Sequence, residues 1–189
     1  MRIRTAILIA IDILAMGAVG LPATARADQN DPRLTALFER LTVTDSRGEA
    51  LDIDAKIWEI WDQTGDPALD ALLADGIAAT ERGAFLTALH DFDTVIARRP
   101  DFAEGWNKRA ALYFYVGQYE SARADIAMTL KLEPRHMCAL AGLGLVEMKL
   151  GHFEEAADAY RRVLAIDPQN ASAKALFEMA DNIVQRTSI

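Results

Sequence analysis

Three histidines, His90, His136 and His152, and a lone cysteine, Cys138, are the residues of this sequence best suited to hold a metal or attack an electrophile. A zinc site recruits histidine nitrogens and thiolates in pairs a few residues apart. None of these histidines has a second histidine or a cysteine so placed. His152 and Glu155 share one helical face, and one such pair reads as a surface contact. Cys138 follows His136 across a helix start and has no other histidine near it to take a thiol proton. It reads as a small, soft, partly buried side chain, with a mixed disulfide to another protein as the alternative. Adjacent acids such as Asp91/Asp93 and Glu154/Glu155 read as solvated helix faces. No glycine-rich phosphate loop and no serine in a strand–turn–helix elbow is present. The expectation is a chain with no catalytic, cofactor-binding or metal-binding residues, and not an enzyme.

What the chain offers instead is helix. Alanine and leucine dominate, while glycine and proline are sparse among the 189 residues, which favours helical structure. About half the residues (51%) are apolar and a quarter (25%) charged, as in an ordinary globular protein. The formal charge is −8. Without the first 27 residues the chain has 17 basic against 27 acidic residues, a net of −10. Such a surface repels phosphate backbones, so nucleic acid is excluded as a partner, whereas a neutral or basic partner is attracted.

Residues 1–27 read as an export signal. Arg2 and Arg4 precede an apolar run, Ala6 to Leu21, interrupted by Asp12. Ala25-Arg26-Ala27 then supplies the small-x-small pattern of a cleavage site, which would leave Asp28 first. The run is shorter than the ~20 residues that span a bilayer, and Asp12 would cost roughly 3 kcal/mol at its centre. The expectation is export, to the periplasm if the cell has two membranes, with cleavage after Ala27 and no membrane span in the mature chain. One cysteine allows no internal disulfide, so packing alone must hold the fold.

A period of 34 residues organises the remainder. It relates Pro100, Pro134 and Pro168, and likewise Gly83, Gly117 and Gly151. Gly76/Ala110/Gly144, Phe85/Tyr119/Phe153, Ala88/Ala122/Ala156 and Phe92/Ile126/Tyr160 keep the same offset. The glycine falls where one helix stops and the chain turns back. The small residues fall where two helices approach closely, and the proline ends the second helix. A single such hairpin cannot bury both its apolar faces, so neighbours must stack.

These columns resemble the tetratricopeptide repeat, in copies at 69–102, 103–136 and 137–170, about 102 of the 189 residues. The resemblance implies an all-α superhelix whose first helices line a concave groove. Carried over position by position, it places Leu73 and Ile77 in the groove from the first copy. Asn107, Ala111, Phe114 and Tyr115 come from the second copy, Ala141, Leu145 and Met148 from the third, and Met179 from the helix beyond. Groove variants that grip an acidic C-terminus carry lysine and asparagine where this chain has Leu73 and Ile77, and cations where it has Cys138 and Gly142. That kind of guest is therefore not expected. Asp75 and Arg109 stand at one offset in adjacent copies, and an ion pair between them is expected.

The flanks complete the array. Residues 28–65 carry no repeat columns but suggest a helical hairpin, with Asp31-Pro32 as a start, Thr42 to Gly48 as a polar loop and Ala50 to Gln63 as its second helix. It is expected to cap the N-terminal end of the stack, with Trp58 and Trp61 as core plugs. Ala171 to about Gln185 reads as a C-terminal capping helix. The groove is expected either to be open or to be partly filled by the N-terminal helices. The function expected is a protein-binding scaffold or adaptor in the cell envelope that holds a protein or peptide partner in the groove. The alternative is a structural subunit of a larger envelope assembly, docking through the helical cap. Neither the partner's identity nor the oligomeric state follows from the sequence.

Overall fold

The computed structural model describes residues 28–187, and the expected export signal at 1–27 lies outside them. Nine helices and no strand occur among the described residues. Two form an N-terminal hairpin, α1 (Arg33–Val43) and α2 (Arg47–Trp61). Three further hairpins follow: α3 (Pro67–Glu81) with α4 (Phe85–Arg98), α5 (Ala103–Tyr115) with α6 (Tyr119–Leu132), and α7 (Met137–Leu150) with α8 (Phe153–Ile166). The last helix is α9 (Ala171–Thr187). The glycines of the three tight turns, Gly83, Gly117 and Gly151, have φ of 75°, 79° and 82°. A side chain would strain the backbone in that left-handed region, which is the physical reason for the glycine column.

The small-residue column has an equally direct cause. A methyl group added at Gly144 would overlap the Tyr160 ring, and one at Gly76 would overlap Phe92. In these two hairpins the aromatic of the second helix therefore lies against the backbone of the first, where only hydrogen fits, while the middle hairpin pairs Ala110 with the slimmer Ile126. Tyr160 is fully buried there, and burial pushes its phenol up to about 12. Between hairpins, Phe92, Val95, Phe102 and Leu112 join the first pair to the second, and Ile126, Ala139 and Val146 join the second to the third.

The N-terminal hairpin does not cap the first repeat. It lies along the edge where the proline turns fall and touches all three of them. Arg99 Nη2 donates to Asp28 Oδ2 at 3.0 Å, and Ala103 N donates to Gln29 Oε1 at 3.2 Å, both at the first turn. The Arg135 guanidinium stacks 4.3 Å over Phe38 at the second. Thr42 Oγ1 donates to the Ile166 carbonyl and Gln169 Nε2 to the Thr44 carbonyl at the third. Its apolar face (Leu34, Phe38, Leu41, Ile57 and Trp61) shares a core with Met137, Leu140, Val163 and Ala173. The face was legible in the sequence, but the surface that covers it was not. The expected loop at Thr42–Gly48 is also shorter, because Ser46 caps α2 by accepting from Glu49 N. Glu49 in turn accepts from Arg40 and Thr44.

Candidate functional site: a concave apolar cleft

First helices α5 and α7 face a cleft of about 300 Å³. Asn107, Ala111 and Phe114 line it from α5, and Ala141 and Leu145 from α7. Ala110, Ile126 and Val146 form its floor, which is also the core beneath. These positions converge because residues three and four apart on a helix share one face. Leu145 is 37% exposed, and Tyr115, on the same helix as Phe114, is 69% exposed and packs 5.3 Å from the Phe85 ring. Met179, on α9, is 53% exposed.

Tyr115 and Met179 do not line the cleft, and the other three expected groove residues lie elsewhere. Leu73 is buried at 2% exposure in the core with Phe92 and Leu112, enclosed by its own second helix and by α5 of the next hairpin. No guest can reach it. Ile77 packs half-buried on that same core. Met148 packs on Ala156, Tyr160 and Ala180.

One wall of the cleft comes from outside the repeats. Trp58 of α2 lines it, together with Lys108 and Cys138. Trp61 is the plug, 1% exposed, and its indole stacks on the buried His136 ring at 4.3 Å. Trp58 is only half-buried and meets both rings edge-on. The N-terminal hairpin thus fills the groove only in part: α2 supplies a side wall and leaves the centre open, with Leu145 and Tyr115 exposed rather than core. Asp54 and Trp58 stand four apart on α2, and Asp62, the residue that ends the helix, continues the spacing to i+8, a pattern that was visible in the sequence.

A buried polar network stands behind that wall. Glu104, 1% exposed, binds His136 Nε2 through Oε2 at 2.8 Å and Lys108 Nζ through Oε1 at 2.7 Å. His136 Nδ1 accepts the Ala139 N–H and so caps α7, which places the ring proton on Nε2. Burial alone would raise the Glu104 carboxyl, but His136 and then Lys108 hold it below its ordinary value. Lys108 also approaches Asp62 Oδ1 at 3.8 Å and sits 5.3 Å from the Trp58 ring centre. Desolvation, followed by the negative charge of Glu104, raises the Cys138 thiol, the reverse of what a nucleophile needs.

The expected Asp75–Arg109 pair is not formed. Arg109 bridges three helices instead, donating from Nε and Nη2 to Asp125 at 2.7 and 2.8 Å and from Nη1 to Asp93 at 2.6 Å. Arg109 is turned toward the second helices on either side, while Asp75 is exposed. His152 meets Glu147 at 2.7 Å rather than Glu155. Among the described residues no group of three or more metal-binding side chains occurs. None of the described helices is long and apolar enough to cross a membrane.

Residues 107–171 match the Tetratricopeptide repeat family. The chain is also 33% identical over 142 residues to a TPR repeat-containing protein of Rhizobium etli, covering 75% of this chain and 70% of that one. This chain belongs to the tetratricopeptide repeat family. The Hsp70-Hsp90 organizing protein of Triticum aestivum is 34% identical over 106 residues, which is 56% of this chain but only 18% of that protein. In three dimensions the fold is similar to the first TPR of Spaghetti (RPAP3) bound to HSP90 peptide SRMEEVD. The TM-score is 0.60 at 21% identity, over 62% of this chain and 93% of that one. The all-helical superhelix read from the 34-residue columns is therefore the fold of this chain.

Proposed function

We propose that this chain is a non-catalytic scaffold of the cell envelope that holds a polypeptide partner in its concave cleft. One observation carries the reading: α5 and α7 hold Phe114 and the exposed Leu145 over a cleft whose floor is apolar, with Tyr115 exposed beside Phe114 on the same helix. Monomeric proteins rarely leave such surface uncovered without a partner for it. Its shape suits the apolar face of a helix or an extended segment. The solved relative that holds the HSP90 peptide SRMEEVD supports peptide holding as a use of this fold. The envelope location rests on the leader-like residues 1–27 alone. Affinity capture from the native compartment with wild type, Tyr115→Ala and Leu145→Ala tests the reading. Loss of the captured partner in both variants is expected, and unchanged recovery in both would overturn it.

Val43 and Leu51, 71% and 60% exposed on the N-terminal hairpin, favour a second reading in which that hairpin docks on a larger assembly. Substitution of both by serine would then abolish capture, while the cleft variants would not.

A further inference from the structure

Every cation lining the cleft among the described residues is accounted for by one side chain, Lys108, and Lys108 is already engaged. It lies between Glu104 and Asp62, with the Trp58 ring beneath it. Asp62, half-exposed, approaches Lys108 from the end of α2, while Asp54, half-buried, lies one turn before Trp58, where its charge acts on Cys138 of the cleft wall. Asp54 accepts a hydrogen bond from Trp58, and desolvation and then the like charge of Asp167 push its carboxyl up. Asp62 is pushed up by burial, which Lys108 only partly offsets. At this end of the cleft two acids, Glu104 and Asp62, share Lys108, and Asp54 adds a third carboxylate one turn away with no cation paired to it among the described residues, on a chain whose net charge is already −8. Lys149, one helical turn beyond Leu145 on α7, lies toward the opposite end.

We propose that the cleft selects a basic, amphipathic segment. An apolar side chain enters between Trp58, Phe114 and Leu145, and a neighbouring lysine or arginine of the guest lies on the Asp54–Asp62 ridge of α2. The inference rests on the peptide-holding reading above and adds the chemistry of the guest and its direction, with the cation at the α2 end. An acidic tail would meet the same carboxylates and find its only cation taken.

Fluorescence anisotropy of three labelled twelve-residue peptides on the purified full chain tests this. One carries two leucines flanked by lysines, the second replaces those lysines with glutamates, and the third keeps the lysines but replaces the leucines with serines. The lysine–leucine peptide is expected to bind about ten-fold more tightly than either of the others. The gap from the glutamate peptide should shrink at high salt. In the Asp54→Asn/Asp62→Asn double variant, checked by circular dichroism, the lysine and glutamate peptides should converge to within about two-fold. Equal binding of those two peptides by the wild type, or an unchanged preference in the double variant, overturns the inference and leaves the apolar groove standing. Equal binding of the serine peptide, through charge alone, overturns the anchor. Binding by none of the three, as when residues 1–27 or a second copy fill the cleft, overturns this inference and the peptide-holding reading together.

Discussion

Arg109 shows what residue spacing conveys and what it leaves out. Its offset in the repeat was plain from the sequence, yet its partners lie sixteen positions away on either side, on α4 and α6. Which neighbour a long side chain meets depends on helix rotation, and no periodicity records that. Asp125 is 5% exposed and receives two hydrogen bonds from Arg109. Arg109→Ala should therefore strand a buried carboxylate and cost about 3 kcal/mol in urea denaturation. Asp75→Ala should change stability by no more than about 0.5 kcal/mol. Equal losses in the two variants would mean the assigned partners are wrong. Glu104 carries a second prediction at this scale. Its carboxyl is depressed in the folded chain, so its contribution is present at neutral pH. That contribution is lost as pH falls from the ordinary carboxylate range through the depressed value. Asp54 and Asp62 are raised and act oppositely, since their protonation on acidification relieves the folded state. Thermal melts across the acid range should show a shallower decline for Glu104→Gln than for wild type and a steeper one for Asp54→Asn/Asp62→Asn. Parallel curves would contradict both assignments.

At the scale of elements, the three repeat hairpins were legible because each column has a local cause. A positive φ demands glycine, and a ring lying on a backbone excludes a methyl. Gly144→Ala should accordingly cost about 2 kcal/mol, because Tyr160 is enclosed and cannot move aside. The N-terminal hairpin was legible only as a hairpin. Leu34, Phe38 and Trp61 announce a buried face, but an apolar stripe does not name what covers it, and that depends on contacts more than seventy residues distant. The short turn after α1 could have been read from Ser46-x-x-Glu49, a capping pattern that starts α2 earlier than the hydrophobic run suggests. Because Trp61 fills the space between this hairpin and His136, Trp61→Ala should cost about 4 kcal/mol. It should also raise hydrogen exchange in α1 and α2 without raising it in α4 or α6. Uniform acceleration throughout the chain would mean the hairpin is no separable unit.

For the whole molecule, the arrangement has a functional consequence. Three stacked hairpins define a concave wall, and the N-terminal hairpin ties together the edge where their proline turns lie. Its second helix then closes one side of the cleft. Five of the ten groove positions taken from the family resemblance line the cleft, while Leu73 is core. The α2 wall escaped that resemblance because residues 28–65 carry no repeat columns. A guest of this chain is expected to sit in this cleft. Hydroxyl-radical footprinting of the full chain, with and without its captured partner, reads that side chain by side chain. Protection is expected at Trp58, Phe114, Tyr115, Leu145 and Met179, with Leu86, 86% exposed on α4, left as reactive as before. Protection of Leu86, or of Val43 and Leu51, with the cleft residues unchanged would contradict it.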